Sequence, residues 1–444
     1  MTDTMTDSSE NVQNTKLPLM QSIKRIITFS KFNIFLVFVP IGYIVKFVTK
    51  NDTLIFFMNF AAIIPLARLL GFATEELAES VGETLGGLLN ATFGNAVELI
   101  IAIVALANGQ IRVVQASMLG SVLSNILLVL GSCFLAGGIA VLRDTDENGI
   151  PKNLEQTFSS TAAQASSSLM TLSCITLILP AAFALAVNST TNGNNTNVDP
   201  STKILDISYG TSIVLLIVYI LYLVFQLKTH KTLFNEKEGD KKDVDDNQSN
   251  KQNTNQSDDE QRGDSEQRPD DIRSDQNLLD RRENREREGE HNIERGVKIK
   301  DDIDDEPDEP EQHINVMIAL ILLIVTTVIT AFSAEFLVDS IEGIVKTLGI
   351  SETFVGLILL PIVGNAAEHV TSITVAIKDK MNLAIGVAVG SSTQIALFIT
   401  PLLVILGWIL NKPMSLYFMP FETVCLFIAV LLTNYLVQME DQIG

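Results

Sequence analysis

Two short segments of this chain repeat one another. Gly94-Asn95-Ala96-Val97-Glu98 recurs as Gly364-Asn365-Ala366-Ala367-Glu368, an offset of 364 − 94 = 270. In each, the amide stands three residues before the acid, so the two side chains share one face of a helix. Carboxylate and amide oxygens are hard ligands, and a calcium-like ion takes six to eight of them. Gly94 and Gly364 lack a Cβ, so a helix can break beside them and release backbone carbonyls to the same shell. The expected ion-binding set is therefore Glu98, Glu368, Asn95, Asn365, Gly94 and Gly364. The 270 offset also carries Gly120-Ser121 onto Gly390-Ser391. Ser121, Asn125, Ser391 and Gln394 are expected to line the site or to bond a neighbouring helix. His369, beside Glu368, is expected to tune proton affinity or to pack.

These residues sit in a strongly apolar chain. Of 444 residues, 47% are hydrophobic and the mean hydropathy is +0.30. The apolar residues fall in long runs rather than at core-like density, which is the membrane pattern. Ten spans are expected, at 32–49, 53–79, 83–108, 112–142, 159–187, 207–227, 313–347, 352–378, 382–410 and 416–438. Basic residues at 24, 25 and 31, at 228 to 231, and at 378 and 380 fall on one side if the N-terminus is cytosolic. The third span holds Glu98 and the eighth holds Glu368, so the two helices run in opposite directions. That is an inverted repeat, which places both motifs near the midplane.

The fold class is thus all-α: a polytopic membrane protein of about ten helices in two inverted repeats. The expected divisions are a tail at 1–30, an extra helix at 31–52, a first repeat at 53–227, an acidic cytosolic loop at 228–312 and a second repeat at 313–444. A charge at bilayer depth costs about 2.5 to 3.5 kcal/mol. Two facing carboxylates repel unless they share protons or hold a cation. Holding one or the other in turn is the logic of an antiporter. A second echo, offset 332 − 72 = 260, matches Phe72, Glu75, Leu77 and Ser80 to Phe332, Glu335, Leu337 and Ser340. Glu75 and Glu335 are weighed there for an interfacial or gating role.

Several features exclude other classes. The net charge of −21 comes mostly from residues 236–312, an acid-rich stretch too poor in apolar residues to bury a core. It is expected to be a solvated linker, with regulation by cytosolic cations as the alternative. No basic face is available for nucleic acid. Cys133, Cys174 and Cys425 lie in apolar runs without paired spacing, so neither disulfides nor a zinc site is implied. Asp144 to Glu155 satisfies an EF-hand loop pattern, but it joins two membrane spans and carries Pro151, so it is expected to be an ordinary turn. Sequons at Asn188 and Asn194 suit a lumenal or exterior loop, and the polar, acidic N-terminus does not look like a cleaved signal. No enzymatic cofactor is expected.

LLNATFGNAVELI, followed by QASMLGSVLSNILLVLG, resembles the first signature repeat of the vacuolar calcium/proton exchangers. LPIVGNAAEHVTSITVAIKDKMNLAIGVAVGSSTQIAL resembles the second. The resemblance implies exchange of cytosolic Ca2+ for protons by alternating access across the membrane of an acidic, vacuole-like organelle. It assigns ion binding to Glu98 and Glu368 and lining to their polar neighbours. It also implies eleven helices, whereas the final one is expected to be absent here. The same architecture carrying manganese, sodium or potassium stays open, as does assembly into a homo-oligomer. A channel or signalling protein is the reading from another class.

Overall fold

The structure is a computed structural model, and it describes residues 18–143, 160–190, 200–229 and 313–443. The EF-hand-like stretch, Asn194 and the acidic segment 236–312 lie outside them. Among the described residues the regular structure is entirely helical. Helix α1 is Leu19–Thr28; a 3-10 segment, Lys31–Val37, leads into α2, Phe38–Val48. Then come α3 (Asp52–Val81), α4 (Glu83–Phe93), α5 (Ala96–Ala107), α6 (Ile111–Leu123), α7 (Leu130–Arg143), α8 (Ser160–Thr190) and α9 (Pro200–Val224). The rest are α10 (Val316–Asp339), α11 (Ile341–Leu348), α12 (Glu352–Gly364), α13 (Ala366–Ile377), α14 (Met381–Gln394), α15 (Thr400–Ile409) and α16 (Pro420–Ile443).

Each of the ten expected runs is helical. Among the described residues, seven continuous helical stretches are long and apolar enough to span a bilayer, and α12 with α13, bent by 57°, passes as an eighth. The third expected run is cut at Gly94–Asn95 into α4 and α5. The eighth is cut at the equivalent place, Asn365. Polar caps begin several helices: Asn51 Oδ1 accepts from Leu54 N–H, Asn315 Oδ1 from Met317 N–H and Ser351 Oγ from Phe354 N–H. Helix α1 was not among the expected elements.

The chain divides into two compact units. One holds Met1–Val97 with Lys300–Ser340, and the other Glu98–Ile299 with Ile341–Gly444. In the first, Tyr43 O–H donates to the Ile329 carbonyl at 2.9 Å and Lys46 pairs with Asp339 at 3.1 Å. The buried Glu76 carboxylate draws together three pieces of chain. It pairs with Arg25 of α1 at 3.0 Å and accepts from the Ile314 N–H at 2.9 Å. His313 Nδ1 lies 2.8 Å from Glu79, one turn along α3. Glu75, weighed above for gating, is half-buried beside this cluster, and Glu335 is exposed.

The second unit displays the repeat as local geometry. After α5 the chain turns with Gln110 N–H donating to Ala105 O and Gly109 N–H to Leu106 O. After α13, 270 residues on, Lys380 N–H donates to Val375 O and Asp379 N–H to Ala376 O. Gly109 and Asp379 both have positive φ, 76° and 57°. A stretch of π-helix then follows α6 at Ser124–Val129 and α14 at Ile395–Ile399. Such insertions rotate the side chains after them, and they cluster at functional sites.

A parallel seam joins α6 to α12 and α13. Contacts advance in step: Arg112 with Thr353, Ala116 with Gly356, Gly120 with Leu357 and Pro361, Ser121 with Asn365, and Ser124 with His369. Helix α14 folds back on α13 after a tight turn, so α14 runs against α6. The two equivalent helices of the repeat are therefore antiparallel, as an inverted repeat demands. At the α6 start, Arg112 also pairs with the buried Glu422 of α16, and Gln115 Nε2 donates to the carbonyls of Ser415 and Tyr417 at 3.0 and 3.1 Å.

The seam is asymmetric in one respect that can be measured. A Cβ on Gly120 would overlap the Leu357 carbonyl oxygen and lie 2.6 Å from Pro361 Cγ. A Cβ on its repeat partner, Gly390, meets nothing within 4 Å among the described residues. Gly120→Ala is expected to destabilise the protein by about 1 to 3 kcal/mol through backbone overpacking. Gly390→Ala should fall within about 0.5 kcal/mol of the parent. Thermal unfolding of the detergent-solubilised variants distinguishes them; equal melting temperatures would refute the seam.

Candidate cation site

The second unit brings most of the expected site residues onto four elements: the first turns of α5 and α13, the end of α6 with its π stretch, and α14. The break at Asn365 ends α12 and starts α13 with its N-terminus beside Glu368. Glu98 stands equivalently in the first turn of α5. Each acid thus lies where a helix N-terminus favours negative charge, worth about 0.3 to 1 kcal/mol at an exposed site.

Glu98 is 3% exposed and within electrostatic reach of Glu368. Its carboxyl end lies beside Gly364. A Cβ built there would stand 3.1 Å from Oε1, 3.2 Å from Cγ and 3.3 Å from Cδ. The glycine of one motif thus makes room for the acid of the other, a relation between repeats that neither motif announces by itself. Glu368 is half-buried.

The amides around the pair are oriented by protein acceptors. Asn365 Nδ2 donates to the Ser121 carbonyl at 3.4 Å, and Asn125 Nδ2 donates to Ser391 Oγ at 3.1 Å. Committing the two NH2 groups leaves their oxygens as acceptors. Asn365 Oδ1, Asn125 Oδ1, Ser121 Oγ and Glu98 Oε1 are all buried and take no hydrogen bond from the described residues. A bare buried acceptor costs about 1 to 3 kcal/mol. Four on interlocking helices, two of them amide oxygens turned away from their own donors, form a set suited to a cation or to proton-bearing groups. No group of three or more acidic, histidine or cysteine side chains is placed to hold a metal ion among the described residues. A bound ion would therefore meet two carboxylates at most, with neutral oxygens completing its shell, as hard cations accept.

The other expected residues are distributed as follows. Ser391 is buried on α14, and Gln394, half-buried, is the last residue of α14 before the π stretch. His369 is half-buried, and its Nε2 lies 3.1 Å from Ser124 Oγ. Gly94 and Asn95 fall in the first unit, at the α4–α5 break, and Asn95 is buried. Sequence reasoning missed Ser124. The signal was available, because 394 − 124 = 270 makes Ser124 the repeat partner of Gln394. It also missed Glu76, where the echo of Glu75 with Glu335 drew attention to the adjacent acid.

The family profile described as "Sodium/calcium exchanger protein" matches residues 51–228 and 318–443. A vacuolar calcium ion transporter of Schizosaccharomyces pombe is 39% identical over 432 residues, covering 97% of this chain and 84% of its own. A Ca(2+)/H(+) antiporter of Aphanothece halophytica is 39% identical over 399 residues, covering 90% and 87%. Among solved structures, that of the selenium-substituted Ca2+/H+ antiporter protein YfkE superposes with a TM-score of 0.61 at 28% identity, covering 91% of each chain.

The contact between Gly364 and Glu98 yields a sharp test. Gly364→Ala brings a methyl group against the Glu98 side chain, whose atoms are its three nearest neighbours. Divalent-cation affinity of the purified protein, measured by calorimetry, is expected to fall about tenfold, equivalent to about 1.4 kcal/mol. The melting temperature should barely move. Unchanged affinity would mean that Glu98 binds no ion in this pose.

Proposed function

The chain belongs to the sodium/calcium exchanger protein family, and from that membership we propose that it is a Ca2+/H+ antiporter in which Glu98 and Glu368 hold either one Ca2+ or protons. It is a multi-pass membrane protein of the vacuolar calcium transporter kind. The observation that carries the site assignment is the buried Glu98 carboxyl, set against Gly364 within reach of Glu368 and among acceptor oxygens that lack donors.

The mechanism follows from charge. With a doubly charged cation between them, two carboxylates form a neutral group that can stand at bilayer depth. Emptied, they repel, and taking up protons is the available route back to neutrality. Occupancy is therefore either Ca2+ or H+, and reorientation of the empty charged site is disfavoured. That exclusion couples the two fluxes. Asn365, Asn125, Ser121 and Ser391 supply or orient neutral oxygens, and Gln394 and His369 are proposed to line the path. Ser124 holds the His369 ring and so sets which nitrogen can pass a proton. In the direction proposed, cytosolic Ca2+ enters an acidic organelle as protons leave. The cycle uses no cofactor besides the transported ions.

Glu98→Gln and Glu368→Gln should each abolish Ca2+ uptake into sealed vesicles with an imposed pH gradient, while the protein still reaches the membrane. Wild-type-like uptake in either variant would sink the assignment. Uptake by the parent should vanish when a protonophore collapses the gradient, and a sodium gradient should not restore it.

The acidic stretch is proposed to regulate rather than to carry ions. Removal of residues 240–310 is expected to leave exchange intact and to alter only its dependence on cytosolic-side Ca2+, an effect weakened at high salt by screening within about 10 Å. Loss of transport in a deletion variant that is correctly inserted would make the segment part of the transport core.

A further inference from the structure

Helix α1 has one occupied face and one bare face. On the occupied face Ser22 is fully buried and Arg25 pairs with Glu76 of α3 at 3.0 Å. Just beyond the helix, the Phe29 ring packs on Phe72 with centroids 4.2 Å apart, under the guanidinium of Arg68. Asn33 Nδ2 then donates to the carbonyls of Ile26 and Ile27 at 2.8 and 3.1 Å, closing the helix end. The helix is thus held in a definite orientation.

The opposite face is apolar and uncovered by any described residue. Leu19, Met20, Ile23 and Ile27 are 64%, 78%, 42% and 61% exposed. Their spacing makes one stripe along the helix, bordered by the exposed Lys24. The stripe is continuous with Ile34 and Phe35, exposed apolar residues of the Lys31–Val48 span. Only 11% of that span's apolar window is buried in the protein, so its surface belongs to lipid. Lys31, also exposed, stands at the junction.

An apolar stripe with lysines at its edge, joined end to end with a lipid-facing span, fits the membrane interface. Lysine stems lie along apolar surface while their ammonium groups reach the headgroups. Arg25 is committed to Glu76, which among the described residues of this segment leaves Lys24 and Lys31 available to headgroups. From the continuity of the stripe and this placement of charge, we infer that α1 is an interfacial helix that docks on anionic phospholipid, with its stripe at the acyl boundary and Lys24 and Lys31 on lipid phosphates. The docked face then passes the position of α1 to α3 through Arg25 and Glu76.

The test uses the full chain with Cys133, Cys174 and Cys425 replaced by alanine and a single Ile23→Cys bearing an environment-sensitive fluorophore. It is reconstituted into phosphatidylcholine vesicles and into vesicles containing about one-third phosphatidylserine, with a headgroup-proximal lipid quencher or aqueous iodide. We expect lipid quenching in both, about twofold stronger in the anionic vesicles. In Lys24→Gln/Lys31→Gln the two compositions should become equal. Iodide quenching without lipid quenching would overturn the interfacial placement. Protection from both quenchers would mean that residues 1–17 or a second copy of the chain covers the stripe, and it too would overturn it. Equal lipid quenching of the parent in both compositions would overturn the anionic headgroup assignment.

Discussion

A carboxylate buried inside a membrane helix must be neutralised by something, and that constraint organises the second unit. Among the described residues no basic side chain pairs with Glu98; its near neighbours are Gly364 and the field of a second acid. A salt bridge there would satisfy the charge permanently and leave nothing to transport. The ion pairs in this unit lie elsewhere. Arg112 with Glu422 sits at the far end of the seam, three turns of α6 from Asn125, where it fastens α16 to α6. Fixed neutralisation is used for assembly, while Glu98 is left without a basic partner among the described residues, as the proposed exchange requires.

Preparing such a site requires rigid surroundings, because orphan oxygens are tolerated only where the helices cannot close over them. The parallel seam supplies that rigidity. Gly120 lets α6 approach the α12 backbone more closely than any side chain would permit, and the approach ends at Asn365, where α12 stops. The Asn365 amide bonds the Ser121 carbonyl at that point and leaves its own oxygen buried without a donor among the described residues. The helix break and the close crossing are thus one construction, since the break frees the asparagine that the crossing then anchors. A break so supported also explains how irregular backbone persists at membrane depth, where every peptide group needs a protein partner.

The helical class and the two acids were legible in the residues because both rest on local signals. Apolar runs of about 20 residues report membrane spans whatever surrounds them, and an inverted repeat writes its site twice. The third expected run showed its break in advance through Gly94 and Asn95, and the eighth through Gly364 and Asn365. The adjacent acids Glu75 and Glu76 gave no comparable hint that Glu76 is the buried one. Which of two adjacent acids faces inward depends on the rotation of α3 against Arg25 and Ile314, residues distant in the chain.

The sequence by itself thus determined the class of fold, the identity of the paired acids and the register of the repeat, since hydropathy, charge and a 270-residue offset are properties of the chain. Only the tertiary structure decided that Gly364 serves Glu98, that Ser124 holds His369, that the amide oxygens of Asn125 and Asn365 are left without donors, and that Gly120 is crowded while Gly390 is open. The physical reason is that the motif is symmetric and its packing is not. Two copies of one sequence pattern meet different neighbours once the helices cross, and steric contact and hydrogen-bond direction belong to the crossing rather than to the pattern.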